Sequence, residues 1–288
     1  MDSQTTLPSP SQTLPDSLCT ALEARMAHGT IELPLLPHVA SQVLALSASA
    51  DSSAQALAAL IHRDQAIAAN VLRVANSPLY RPRVPIVSLQ QAISRLGLQL
   101  LRDIVISISM RSRVFNVPSY AAEARALWHH AVETAAYARE IARQCRRNVE
   151  GAFLSGLLHD VSKPVLLLAL ADIQGSTATP LPPETVALAL DVYHTRVGAL
   201  LASTWALPAE TCASLIYHHD YQAAPAHTDA VMLTSLADRV SYTLSQADAE
   251  LDSLTLDPLW SAFNMYPDDV AHLLERREAI AHFVAAIG

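Results

Sequence analysis

Along most of the chain the apolar positions recur at i, i+3, i+4 and i+7, the spacing that gathers them on one face of an α-helix. Leu35–Ser47, Ala54–Ile61 and Gln65–Ala75 all show it, and each predicts a helix with one buried face. Asp64 is placed to cap the helix that begins at Gln65, and Asn76-Ser77-Pro78 turns the chain at its end. The segment Arg81-Pro82-Arg83-Val84-Pro85 has to be a loop, because its two prolines lack backbone donors and restrict the residues before them. Ser88 then caps a helix over Leu89–Leu96, and Gly97 ends it. Ile104–Met110 alternates apolar residues with serine, a period that by itself reads as a strand. With no partner strand in the sequence, a buried helix continuing from Leu98 is expected instead. Further helices are expected at Tyr120–Arg146, Gly151–His159, Pro164–Asp172, Pro183–Trp205, Ala209–Tyr221, Asp229–Ser245 and Pro267–Ala286.

The expected fold class is therefore all-α, with two packed helical bundles. Asn116-Val117-Pro118-Ser119 interrupts a long apolar stretch just before an Ala-rich helix, so residues 15–117 form the first unit and residues 118–288 the second. Residues 1–14, polar and punctuated by proline, are expected to be disordered.

Composition supports helix over sheet: 51% of the 288 residues are hydrophobic, yet Phe, Trp and Tyr make up only 5%, so the apolar mass is mostly Ala and Leu. A net charge of −8 argues against nucleic-acid binding. Cys19, Cys145 and Cys212 are far apart and form no CxxC, which suggests neither a disulfide framework nor a thiolate zinc site and fits a reducing, cytoplasmic setting. The N-terminus shows no signal-peptide pattern, and no uninterrupted apolar run approaches the ~18 residues that a membrane helix needs, so no membrane association is expected.

Six of the twelve histidines lie between His129 and His219, each on or at the end of an expected helix. In Gly156-Leu157-Leu158-His159-Asp160-Val161-Ser162-Lys163 an imidazole and a carboxylate adjoin after a fully apolar stretch, offering N and O donors of the kind that hold divalent metals. His130 lies on the preceding helix, His194 on the next long one, His218-His219 on the one after, and Asp238 on the helix that follows. Packed as a bundle, these helices can point all seven groups into one interior. Gly198, one turn after His194 on the same face, would let a facing helix approach.

Blander readings stand beside these. His159 and Asp160 can be a capping pair at a helix end. His129 competes with His130, although the register of Trp128-His129-His130 favours the latter. His218 and His219 are about 100° apart on a helix, so both serve one site only if it lies between two metals. Asp238 can pair with an arginine in solvent. Lys163, the one lysine in the chain, is either a surface cation or a point charge able to hold a phosphate oxygen.

In order and spacing, His130, His159-Asp160, His194, His218-His219 and Asp238 resemble the ligand set of the HD phosphohydrolase superfamily, in particular its HD-GYP branch, in which such residues bind two or three metals. Ile61-His62-Arg63-Asp64, Val71-Leu72-Arg73-Val74-Ala75-Asn76-Ser77 and Ala92-Ile93-Ser94-Arg95-Leu96-Gly97 resemble the HDOD domain, an HD-related output domain of bacterial signalling proteins. Trp128-His129-His130, Gly156–Asp160, His194–Gly198 and Trp205-Ala206-Leu207-Pro208 continue that similarity, which spans about residues 18–245.

This sequence also departs from the HD-GYP pattern. Tyr221-Gln222-Ala223-Ala224-Pro225 stands where a Gly-Tyr-Pro loop would follow, and Ala126 occupies the place of an extra acidic ligand. The resemblance to HDOD proteins implies a non-enzymatic regulator that acts through protein partners, with a metal site of Fe, Mn, Zn or Mg. The intact ligand set implies, as an alternative, a metal-dependent phosphohydrolase in which Lys163 and Arg196 would contact phosphate. A third reading is a module that senses a nucleotide.

Overall fold

A computed structural model of the chain describes residues 14–47, 53–80, 82, 84–177, 180–246 and 254–288. The expected disorder of residues 1–14 falls almost wholly outside these residues, as do Arg81 and Arg83 of the proline-containing loop. Every regular element among the described residues is helical. In chain order they are α1 (Asp16–Ala27), α2 (His38–Ser47), α3 (Ala54–His62), α4 (Gln65–Ala75), α5 (Leu89–Leu96), α6 (Leu98–Arg113), α7 (Ala121–Gln144), α8 (Val149–Leu158), α9 (Ser162–Thr177), α10 (Pro183–Thr204), α11 (Ala209–Tyr217), α12 (Thr228–Ser245), α13 (Pro258–Ala262), α14 (Pro267–Glu275) and α15 (Arg277–Ile287).

The caps fall where the sequence puts them. Asp64 accepts from the backbone N–H groups of Ala66 at 3.0 Å and Ile67 at 3.1 Å, and Ser88 accepts from Gln91 at 3.2 Å. Gly97 separates α5 from α6 at φ 81°, a left-handed value open to glycine at no steric cost. Asn76 does more than turn the chain: its side chain bonds both backbone groups of Ile86 at 2.8 Å, pinning the loop that leads to α5.

The alternating Ile104–Met110 segment is helical, and every residue from Leu101 to Met110 is buried. With burial on all sides there is no polar face to reveal the helical period. The serines are tolerated because Ser107 and Ser109 donate to the carbonyls of Asp103 and Val105, each at 2.8 Å.

Two helices carry too little pattern to be read from sequence. α1 buries only Leu18 and Leu22, and α13 is five residues long. The single helix expected over Pro267–Ala286 is broken at Arg276, which directs α15 onto α4, α6 and α7. There Arg73 and Arg111 donate to the carbonyls of Ala286 and Ile287, at 2.8 and 3.2 Å. One apolar core extends from Leu18 to Ile287.

At its centre lies α8, capped by Asn148 and buried over its whole Gly151–Leu158 length against α6, α7, α11 and α12. Val149–Gly175 is the one stretch among the described residues long and apolar enough to cross a membrane, but 89% of its apolar window is buried inside the protein, so core packing accounts for its composition. The α7–α8 contact is backbone on backbone at Gly156, where a Cβ would lie 2.8 Å from Cα of Ala135. Gly156→Ala should therefore cost about 1–3 kcal/mol from overpacking, although alanine gains about 1 kcal/mol in helix propensity over glycine. Urea unfolding of the two proteins checks the sign.

Candidate metal centre

The burial of α8 carries its C-terminal residues His159 and Asp160 into the middle of the protein, where they are 0% and 3% exposed. Around them α7 brings His130, α10 brings His194, the end of α11 brings His218 and His219, and α12 brings Asp238. All seven residues expected from sequence converge: their donor atoms form three overlapping groups, in each of which the atoms lie within 4.8 Å of one another. One group is Asp160, His194, His218 and His219; the others are His130, His159 and Asp160, and His159, His218 and Asp238. Gly198 lets α11 close onto α10, since a Cβ there would stand 3.0 Å from the Leu215 carbonyl.

Asp160 is the hinge of the arrangement. Its Oδ1 is 3.6 Å from Nε2 of His194 and 3.6 Å from Nε2 of His218. Its Oδ2 accepts from Lys163 Nζ at 2.6 Å and lies 3.4 Å from His159 Nε2 and 4.0 Å from His130 Nε2. Asp238 Oδ1 lies 3.0 Å from His130 Nε2 and 3.6 Å from His159 Nε2.

The tautomers are set by local backbone. Nδ1 of His159 bonds the Gly156 carbonyl at 2.7 Å, that of His194 bonds Leu190 at 2.9 Å, and that of His218 bonds Ser214 at 2.9 Å. A carbonyl only accepts, so each Nδ1 carries a proton and each Nε2 is turned toward Asp160. These three Nε2 atoms and Asp160 Oδ1 are buried without a hydrogen-bond partner. Buried polar atoms are rarely left so, and the donor set fits a divalent cation: bonds of 2.0–2.2 Å hold tetrahedral ligands about 3.3–3.6 Å apart, close to the separations found here.

Electrostatics divide the histidines. Burial opposes a charge on His159, but Asp160 and Asp238 outweigh it and raise its pKa to about 10. Burial works against both carboxylates too, yet His159 and Lys163 hold Asp160, and His130 and His159 hold Asp238, well below the usual range. Burial wins at His194, lowered to about 3, and at His219, whose outer edge is exposed but whose pKa desolvation and His218 lower to about 4. In the metal-free chain the proton thus prefers His159, while His194 and His219 stay neutral, the form in which imidazole binds metal.

Two residues escaped the sequence reading. Ser241 on α12 lies 3.2 Å from His130 Nδ1 and donates to Glu133 Oε2 at 3.1 Å, so that Glu133, Ser241 and His130 form a relay that leaves His130 Nε2 free to face Asp238 and Asp160. Their signal was the i, i+3 spacing of Glu133 from His130 and of Ser241 from Asp238. Arg196, in contrast, points away from the site and pairs with Glu23 at 2.5 and 2.7 Å. Two positions beyond His194 is about 200° around a helix, which places it on the far side.

The cluster opens into a cavity of ≈ 840 Å³ whose wall includes Glu133, Asp160, Asp191, Asp238 and Asp257 against Lys163 and Arg239. Lys163 is committed to Asp160, and Arg239 to Asp257 at 2.7 Å. His129 and Ala126 also line the cavity, but neither belongs to the donor groups.

The HDOD domain profile matches residues 33–221. A protein of Treponema pallidum (strain Nichols) is 26% identical over 215 residues, 72% of this chain, and the chain spans 41% of that relative's length. Among solved structures, an HDOD domain protein of unknown function from Geobacter sulfurreducens superposes with a TM-score of 0.71 at 24% identity, covering 94% of this chain and 98% of that one. A Shewanella amazonensis SB2B protein described as a metal-dependent phosphohydrolase gives 0.71 at 20% identity, covering 95% and 99%. A Marinobacter aquaeolei VT8 protein described as a signal transduction protein gives 0.70 at 20%, covering 94% and 65%. At these identities the shared property is the fold.

Loss of a group that merely orients a metal ligand typically costs 10–100-fold in affinity, so His194→Gln, which removes a ligand itself, should weaken divalent-metal binding by about 100-fold or more. Competition against a chromophoric chelator measures it.

Proposed function

The chain belongs to the HDOD domain family, and from that premise we propose that it is a signal-transduction protein that holds a divalent metal ion in its helical core and acts through protein partners rather than by catalysis. One observation carries the reading. The donor set converges, with His159, Asp160, His194 and His218 buried, but among the described residues the adjoining cavity has no uncommitted Lys or Arg in its wall, only Lys163 paired with Asp160 and Arg239 paired with Asp257. A bound metal would activate water and polarise a phosphoryl oxygen, and Asp160, His194, His218 and His219 are the residues that would hold it. Phosphodiester hydrolysis also needs groups that grip the rest of the anion and hold it in line. Here the substrate would instead meet the carboxylates of Glu133, Asp191 and Asp238.

The alternative, a metal-dependent phosphohydrolase, is favoured by the four unpartnered donor atoms. A nucleotide-sensing role would use the same cavity without turnover. Three free cysteines fit a cytoplasmic, reducing setting for any of these.

The deciding experiment compares the protein with its His159→Ala/Asp160→Ala double variant, each loaded with Mn²⁺, Fe²⁺ or Zn²⁺. Metal should stabilise only the unaltered chain, by about 2.7 kcal/mol at a hundredfold excess over Kd. Neither protein should hydrolyse bis(p-nitrophenyl) phosphate or cyclic dinucleotides above background. Metal-dependent turnover that vanishes in the double variant would establish the phosphohydrolase instead.

A further inference from the structure

We propose that this chain binds one divalent cation, on the Oδ1 side of Asp160, and that the Lys163 ammonium stands on the Oδ2 side as a built-in cation in the place of a second ion. The inference rests on the metal-binding reading above and adds the number of ions and the device that sets it.

The two oxygens of Asp160 have different surroundings. Oδ1 has no hydrogen-bond partner, and neither do the two imidazole nitrogens 3.6 Å from it, Nε2 of His194 and of His218. His219 belongs to the same group of donors. That side gathers imidazole and carboxylate donors to which no lysine or arginine donates. On the other side, Lys163 Nζ lies 2.6 Å from Oδ2, the oxygen that the donors of His130 and His159 also face. His130 Nε2 is itself engaged with Asp238 Oδ1 at 3.0 Å. Of the donors on that side, only His159 Nε2 is without a hydrogen-bond partner.

A second dication on this side would have to take Oδ2 from the ammonium and then sit beside it, two positive charges sharing one oxygen of a carboxylate that is only 4% exposed. Displacement is hindered by how Lys163 is held. It lies on the first turn of α9, three residues after Asp160, with its side chain only 15% exposed. Its identity matters as well: Lys163 is the sole lysine among nineteen basic residues. A compact ammonium can sit on one carboxylate oxygen as a point charge, whereas the planar fork of arginine would reach across both oxygens and compete for Oδ1. The chain thus keeps the residues for two sites and fills one of them with its own ammonium group.

The test is metal stoichiometry on the full chain, stripped with chelator, dialysed to equilibrium against Mn²⁺ and analysed for metal and protein. We expect one Mn²⁺ per chain with an uncoupled six-line electron paramagnetic resonance signal, two per chain with an exchange-coupled signal in Lys163→Met, and none in His218→Ala. Zero Mn²⁺ in the unaltered protein would defeat the metal-binding reading itself. Two ions in the unaltered protein would overturn this inference and leave that reading intact, as would a folded Lys163→Met variant that still binds one. Circular dichroism establishes that each variant is folded. Should Lys163→Met not fold, the count and signal of the unaltered chain decide the matter, because a coupled pair there excludes the lysine as second cation.

Discussion

A carboxylate at the end of a helix that is itself buried on every side needs compensating positive charge close by, because an isolated ionised group in a protein interior is far too costly to keep. Asp160 is in that position, and much of the C-terminal half can be understood as the answer to it. The eight residues before His159 are all buried, so α8 can only lie at the centre, and its end can only open inward. Lys163 meets one oxygen from the next helix turn. The helices around its end bring His130, His194, His218 and Asp238 to the same level.

The histidines are preorganised at little cost because the helices that carry them also orient them. At His159, His194 and His218 the Nδ1 proton goes to a carbonyl three or four residues earlier on the same helix. This turns three independent rings so that Nε2 faces the same carboxylate. His130 is the exception: it depends on Ser241 and Glu133, which belong to two different helices. Its orientation is sensitive to the packing of α7 against α12, and so is its distance from Asp238.

The chemistry open to the site follows from charge. Among the described residues five carboxylates line the cavity beside three histidines and two side chains of Lys and Arg, both already paired, so the pocket favours cations over anions until a metal ion is bound. Such a site has the donors to hold a metal ion but, among the described residues, no unpaired Lys or Arg to grip a phosphodiester.

What the sequence determined by itself lies in local physics. The helical period, the caps at Asp64 and Ser88, the break at Gly97 and the order of the histidine and aspartate donors all depend on neighbours within one or two turns. The helices at Asp16–Ala27 and Pro258–Ala262 were not legible, because a helix with two buried residues, or only five in all, carries almost no periodic signal. Arg196 could have been assigned to the far face of its helix by counting residues, and Glu133 and Ser241 to the near face of theirs. Only the tertiary structure decided which oxygen of Asp160 faces which imidazole, and that Lys163 takes one of them. Those choices turn on separations of about an ångström between side chains from five helices, and such separations are set by how the helices pack, at contacts such as Gly156 on Ala135 and Gly198 on Leu215, not by the spacing of residues along any one of them.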